Sequence, residues 1–196
     1  MSSILNDAGM DLLFRQARTH NAWLDKPVPE VTLRAVYHLM RNGPTSANGS
    51  PARLKFLVTE EAKLRLKSCL SEGNLAKTMA APVATIVAYD TKFYEKLPKL
   101  FPHEPDAPNW FSDPVNAETT AFRNSTLQGA YLIVAARALG LDCGPMSGFN
   151  NKALDAEFFP DGRLKSNFLC NIGFGDPDAL FPRNPRLDFD EACEIL

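Results

Sequence analysis

Three polar stretches, far apart in the chain, hold residue types from which a ligand site can be built. Arg18-Thr19-His20-Asn21 sets the planar donor fork of an arginine, suited to a phosphate or carboxylate, beside neutral donors. Gly43-Pro44-Thr45-Ser46-Ala47-Asn48-Gly49-Ser50-Pro51 alternates small and hydrogen-bonding residues. A ligand can approach such a backbone closely, and Ser46 and Asn48 can bond a polar ring edge or a sugar; the same composition also makes an ordinary turn. In Cys143-Gly144-Pro145-Met146-Ser147-Gly148-Phe149 a fixed φ stands between flexible glycines, which can present N–H groups to a flat ligand. Arg183 and Arg186, in a proline-rich tail, are suited to a phosphate or to a solvated basic patch.

Other chemistries have no foothold. There is no G-x-S-x-G elbow, Walker loop or H-E-x-x-H motif. His20, His38 and His103 lie far apart, and Cys69, Cys143, Cys170 and Cys193 form no C-x-x-C pair, so no metal site is expected. Asn171-Ile172-Gly173-Phe174-Gly175 lacks the third glycine and the following helix of a dinucleotide loop. A site of backbone and small polar groups without an acid–base pair suits a cofactor that does its own chemistry. No catalytic side chain is therefore assigned.

The chain that must position these residues has 196 residues, read as a single domain over 1–196 with a C-terminal arm. A net charge of −2 gives no nucleic-acid footprint. No secretory signal opens the sequence, and Gly129–Leu141, interrupted by Arg137, falls short of the roughly 20 residues of a membrane span. A cytoplasmic protein with reduced thiols, no nucleic acid and no membrane is expected.

Periodicity predicts helices over Met10–Arg18, Glu30–Asn42, Glu60–Leu70, Ala117–Leu139 and Lys152–Phe158. Strands are predicted over Leu54–Thr59, Val83–Tyr89 and Phe168–Gly173, the second apolar enough to be buried on both faces. Asp142–Phe149 reads as a loop, and the tail from Asp176 ends in an amphipathic segment. Leu97–Pro114 holds prolines 98, 102, 105, 108 and 114 and reads as irregular. It is either a stiff surface loop or a lid bearing Trp110 and Phe111. The mixture, without a steady βαβ rhythm, is α+β.

Taken in order, the polar stretches resemble the nitroreductase family, over roughly Leu13 to Ala192. Arg18-Thr19-His20-Asn21 is similar to the family's N-terminal flavin-phosphate motif. Gly43–Pro51 is similar to its Pro-Ser-x-x-Asn-x-x-Pro loop, and Leu139–Asp142 with Pro145–Phe149 to its Leu-Gly-Leu…Pro-Ile-x-Gly-Phe segment. The resemblance implies a nitroreductase-like fold, a mostly antiparallel sheet flanked by helices in an intertwined homodimer with FMN at the interface. It implies that Arg18, Thr19, His20 and Asn21 lie at the FMN phosphate or ribityl chain, and that Pro44, Ser46 and Asn48 contact the ribityl and ring edge. Pro145, Met146, Ser147 and Gly148 would line the ring from the other chain, with the Ser147 N–H at flavin N5, and Arg183 and Arg186 would grip the phosphate. Two positions depart from the pattern: Ala22 stands where a second basic residue is common, and Ser147 where an acidic one is. The implied activity is ping-pong hydride transfer from NADH or NADPH to a small organic acceptor. Within the resembling branch the acceptor is malonic semialdehyde, for whose carboxylate Arg53 and Arg123 are candidates. A broad nitroarene or quinone reductase, and a flavin-binding module without turnover, are the alternatives.

Overall fold

The computed structural model describes residues 4–196. Its helices are α1 (Asp7–Met10), α2 (Glu30–Met40), α3 (Glu60–Lys67), α4 (Glu72–Ala80), α5 (Leu97–Leu100), α6 (Pro114–Ala138), α7 (Asn151–Phe158) and α8 (Phe189–Ala192). The strands are β1 (Ala52–Leu57), β2 (Val83–Asp90), β3 (Asp142–Met146) and β4 (Leu164–Gly173). They form one sheet in the order β1-β2-β4-β3, with every pairing antiparallel.

The sheet is covered on both sides, which is why β2 is apolar along its length and wholly buried. Val83 and Val87 pack with Leu33, Val36 and Met40 of α2 and Leu132 of α6. The alternate residues Ala84, Ile86 and Ala88 pack with Leu66 of α3 and Leu154 of α7. A third cluster, around Phe93, Leu97 and Phe111, closes the end of the sheet near Tyr89 and the start of α6. Each fully buried Leu or Ile here contributes about 1.5–3 kcal/mol. The long α6 starts on Pro114, with the Asp113 carboxylate accepting from the N–H groups of Val115 and Asn116 at 3.1 and 3.3 Å. It ends at Gly140, whose φ of +74° is the left-handed turn that a side chain resists.

Several predicted elements need correction. The first helix starts earlier, on an Asn6 cap that accepts from the Gly9 N–H at 2.9 Å, and passes through a wide turn at Asp11–Arg15. Arg18 therefore lies beyond the helix, in extended chain that bridges to β3. The helix expected over Glu60–Leu70 stops at Lys67, and α4, which the sequence reading did not foresee, follows it. Leu97–Pro114 is not irregular: it folds into α5 and a short turn of helix at Ala107–Phe111. Pro98, Pro108 and Pro114 each stand in the first turn of a helix, where a missing N–H costs nothing. The predicted loop Asp142–Phe149 begins as β3, and its Pro145 is tolerated because β3 lies at the edge of the sheet. Among the described residues no helix is long and apolar enough to cross a membrane, and no group of His, Cys, Asp or Glu is placed to hold a metal.

One ion cluster ties three strands together. Asp90, 2% exposed at the end of β2, receives Arg53 of β1 at 2.8 Å and Arg163, just before β4, at 2.9 Å. Burial alone would raise its pKa, but the Arg163 guanidinium, the Lys92 N–H and Arg53 outweigh burial and hold the carboxyl below its usual range. A depressed folded value means that the contribution is complete above the unfolded pKa and is lost as pH falls through the folded one. Asp90→Asn should therefore lower the stability read from urea unfolding at pH 7 by about 1.5–3 kcal/mol, because two part-exposed arginines lose a charged partner. The difference from wild type should shrink as the pH falls below about 4. A gap that stays constant down to pH 2 would contradict the assignment.

Candidate functional site

The site is organised along the outer edge of β3. Thr19 forms an isolated parallel bridge with Cys143, and the His20 N–H donates to the Cys143 carbonyl at 3.0 Å. Extended chain alternates its side chains, and the two environments here differ accordingly. Thr19 and Asn21 line a hollow of about 760 Å³, which is within the ~300–1,000 Å³ range of ligand clefts.

Five arginines line the same hollow: Arg15, Arg18, Arg137, Arg183 and Arg186. Arg15 is neutralised by Asp7 at 2.7 Å and Asp11 at 3.3 Å. The other four have no carboxylate partner among the described residues, and no acidic residue lines the hollow. Backbone carbonyls hold three of them in place. Arg18 donates to the Phe181 carbonyl, which fastens the arm to the body. Arg183 returns the contact, donating to the carbonyls of Arg15 at 2.9 Å and Ala17 at 3.1 Å. Arg186 bonds only its near neighbours, the carbonyls of Asn184 and Pro185, both at 3.0 Å. Carbonyl partners orient a guanidinium without cancelling its charge, so the cluster is arranged for a multiply charged anion such as a phosphate monoester. Arg137, in the last turn of α6, was not foreseen; its sequence position carries only the weak signal of a basic residue at a helix C-terminus.

His20 does not join this group. It is 6% exposed, with Nε2 at 3.3 Å from Asp142 and with Nδ1 buried and unpartnered. Its ring packs against the backbone of Gly175, where an added Cβ would come within 1.9 Å of Nδ1. The expectation that His20 meets a ligand is corrected: the alternation of extended chain turns it inward, where it anchors the strand that carries Thr19 and Asn21.

Further along the edge, Met146 is also turned inward, its Sδ accepting from the buried Thr78 hydroxyl at 3.5 Å. It belongs to the core and not to the surface that was expected to line a ring. Ser147 is exposed, and its N–H has no partner in the chain among the described residues. The neighbouring Gly148 carbonyl is held twice, by the Ser71 N–H at 3.0 Å and by Asn74 Nδ2 at 2.8 Å. Asn74, on the unforeseen α4, therefore fixes the segment that exposes the Ser147 N–H. Pro145 is part-buried in the strand, paired with Cys170. The expectation that Pro145–Gly148 comes to the Arg18 cluster from another chain is corrected, because the Thr19–Cys143 bridge puts both on one sheet edge of the same chain.

The stretch that stands apart is Pro44–Asn48. Ala47, Asn48 and Ser50 have φ values of 49°, 50° and 41°, uncommon for residues with a side chain. Buried Asn124 of α6 accepts from the Ser46 N–H at 2.8 Å, and Asn48 Nδ2 donates to the Leu100 carbonyl at 2.7 Å. No residue of this turn lines the arginine hollow. Asn48 and Arg53 line a different one, whereas Arg123 is exposed on α6 and lines neither. In the proline-rich segment Phe111 is buried, so it covers nothing; Trp110 is 49% exposed. All four cysteines are free thiols, three of them buried. The Cys170 thiol is pushed up by its hydrogen bond with Cys143 and by burial, which keeps it unreactive.

This architecture is the nitroreductase fold. A nitroreductase structure from Exiguobacterium sibiricum, solved in complex with FMN, superposes with a TM-score of 0.85 at 18% identity, covering 100% of both chains. A model of the nitroreductase family matches residues 14–174. A protein from Burkholderia lata with the provisional name NADH dehydrogenase/NAD(P)H nitroreductase is 60% identical over 192 residues, 97% of this chain and 98% of the relative. One of the same provisional name from Rhodopseudomonas palustris is 58% identical over 196 residues, 100% of both. The chain belongs to the nitroreductase family.

A Cβ on Gly148 would stand 2.5 Å from Asn74 Nδ2. Gly148→Ala should accordingly destabilise the fold by about 1–3 kcal/mol in urea unfolding. In the Asn74→Ala background the same change should cost much less, and equal costs in the two backgrounds would show that the contact does not hold the segment.

Proposed function

We propose that this protein is an FMN-dependent NAD(P)H oxidoreductase that acts on a small organic acceptor and works as a homodimer of one-domain chains. The observation that carries the proposal is the pairing, on one sheet edge, of an arginine hollow without carboxylates and an exposed Ser147 N–H without a partner. Family membership and the provisional names of the relatives support the same reading.

The residues present fit FMN. Its phosphate carries nearly two charges, and burying it requires paired donors. Arg18, Arg137, Arg183 and Arg186 would hold that phosphate, with Thr19 and Asn21 adding neutral contacts beside it. The Ser147 N–H would donate to the ring, and Asn74, through the Gly148 carbonyl, keeps that donor in place. The chemistry supplied by bound FMN is hydride relay from a nicotinamide to an acceptor, the two reactants using one site in turn. The arginine hollow contains no Asp, Glu or His, so the side chains there bind and orient rather than move protons.

A second copy is inferred from what one chain leaves unfinished. The Pro44–Asn48 turn, held in left-handed geometry, lies off the edge that bears the other polar stretches. Phe122, Leu127 and Tyr131 of α6 are each more than 40% exposed, and the arm exposes Phe181, Leu187 and Phe189. Exposed apolar surface on that scale marks an interface. A partner chain would cover it and bring its own Pro44, Ser46 and Asn48 to the flavin.

The relatives' names favour a nitroarene acceptor, and malonic semialdehyde is tested beside it. Purified with FMN supplied, the protein should show flavin bands that bleach anaerobically with NADH or NADPH and recover on adding acceptor. It should sediment as a dimer. Arg18→Ala and Arg183→Ala should each weaken FMN binding at least about tenfold, the loss of a charge-assisted contact. Bands that never bleach would leave a flavin-binding module, and a protein that takes up no FMN would overturn the reading.

A further inference from the structure

A second basic hollow, of about 480 Å³, lies between the end of α2, the 46–50 turn, β1 and the 96–100 segment. Arg41, Arg53, Lys96 and Lys99 line it, and no carboxylate does. Its floor is built rather than incidental. Arg53 is fixed by Asp90 at 2.8 Å and by the carbonyls of Ser50 and Ala52, each at 2.9 Å. Gln128 of α6, only 4% exposed, accepts from the Ala52 N–H at 2.8 Å through Oε1. Its Nε2 makes no hydrogen bond within the chain among the described residues and is open to the hollow, where it offers a solvent-accessible donor. Arg41, Lys96 and Lys99 form no ion pair among the described residues, although Glu95 beside Lys96 is engaged with Arg163 at 2.9 Å. Clustered like charges with low-dielectric walls attract a counter-anion.

We propose that this hollow is an anion subsite that takes the charged head of a small organic ligand, a carboxylate or a phosphate monoester, with the carbon skeleton against Tyr37, Met40 and Leu100. The subsite stands on its own geometry. The identity of the ligand rests on the oxidoreductase reading, in which two reactants carry such a head: an organic-acid acceptor and the 2′-phosphate of NADPH.

The test uses FMN-saturated protein, so that the Arg18 cluster is filled, titrated calorimetrically with malonate and with inorganic phosphate. Wild type should bind at least one of them, and Lys96→Ala/Lys99→Ala should bind about tenfold more weakly. Exposed Arg41→Ala provides an independent second variant. Steady-state kinetics then separates the sources. A raised KM for NADPH with that for NADH unchanged assigns the phosphate. A raised KM for malonic semialdehyde with that for a neutral quinone unchanged assigns the acceptor carboxylate. Weakened anion binding with every KM unchanged supports the subsite and removes both reactants as its ligand. Equal anion affinity in wild type and variants, or no binding of either anion, overturns the proposal. Protein that takes up no FMN would sink the oxidoreductase reading alone, since the difference between wild type and variants still reports on this hollow.

Discussion

A sheet edge presents unpaired N–H and C=O groups that must be paired, covered or used, and β3 is where this chain meets that constraint. Pro145 removes one donor from the edge, and the register with β4 leaves Pro145 opposite Cys170. The first half of the edge is closed by the chain itself, through the Thr19–Cys143 bridge and the His20 N–H. Past Met146 it is left open, and the Ser147 N–H is the group exposed there. His20, Gly175 and Asp142 exist in their packed arrangement to keep the closing segment in place: Asp142 meets His20 with one oxygen and the Gly175 N–H with the other, at 2.9 Å. The candidate site thus spans both parts of a sheet edge, the arginine hollow beside the finished part and the Ser147 N–H at the unfinished one.

Charge is handled in two opposite ways in the same fold. At Asp90 a single buried carboxylate is shared by two arginines, and the cluster is structural. Around Arg18 several guanidiniums share no carboxylate at all and lean on carbonyls, including carbonyls of the arm they fasten. That second arrangement repels itself, because like charges repel and the carbonyl dipoles only partly compensate. The arm and the charge cluster are therefore coupled, and an anion bound there would screen the arginines and hold the arm against the body.

The proline-rich segment shows how local chemistry acquires a different meaning in context. Proline forbids the interior of a helix but favours its first turn. Prolines spaced through Leu97–Pro114 therefore start α5, a short helical turn and α6 in succession, while Phe111 and Leu97 close a core cluster with Phe93. This compact cap also supplies Lys96, Lys99 and the Leu100 carbonyl that holds Asn48. Its position links the strained 46–50 turn to the second basic hollow.

The sequence by itself determined the features that depend on local chemistry. The burial of β2, the run of α6 to its left-handed Gly140, the α+β class and the polar stretches at 18–21, 44–48 and 145–148 were all legible, because periodicity, capping and residue type act over a few neighbours. It also determined that Arg183 and Arg186 belonged with Arg18, although only through resemblance to a family. Tertiary structure decided which side chains face the arginine hollow and the open sheet edge, and which chain segments meet. His20 and Met146 were expected at a ligand through the family resemblance, but extended chain turned them into the core while leaving Thr19, Asn21 and Ser147 outside. Arg137 carried only the weak signal of a basic residue at a helix C-terminus, and Asn74, on a short helix with little apolar period, carried none. They entered the site only when α6 and α4 docked on the sheet. The physical reason is that orientation and long-range pairing are set by packing against the whole core, which no short stretch of sequence contains.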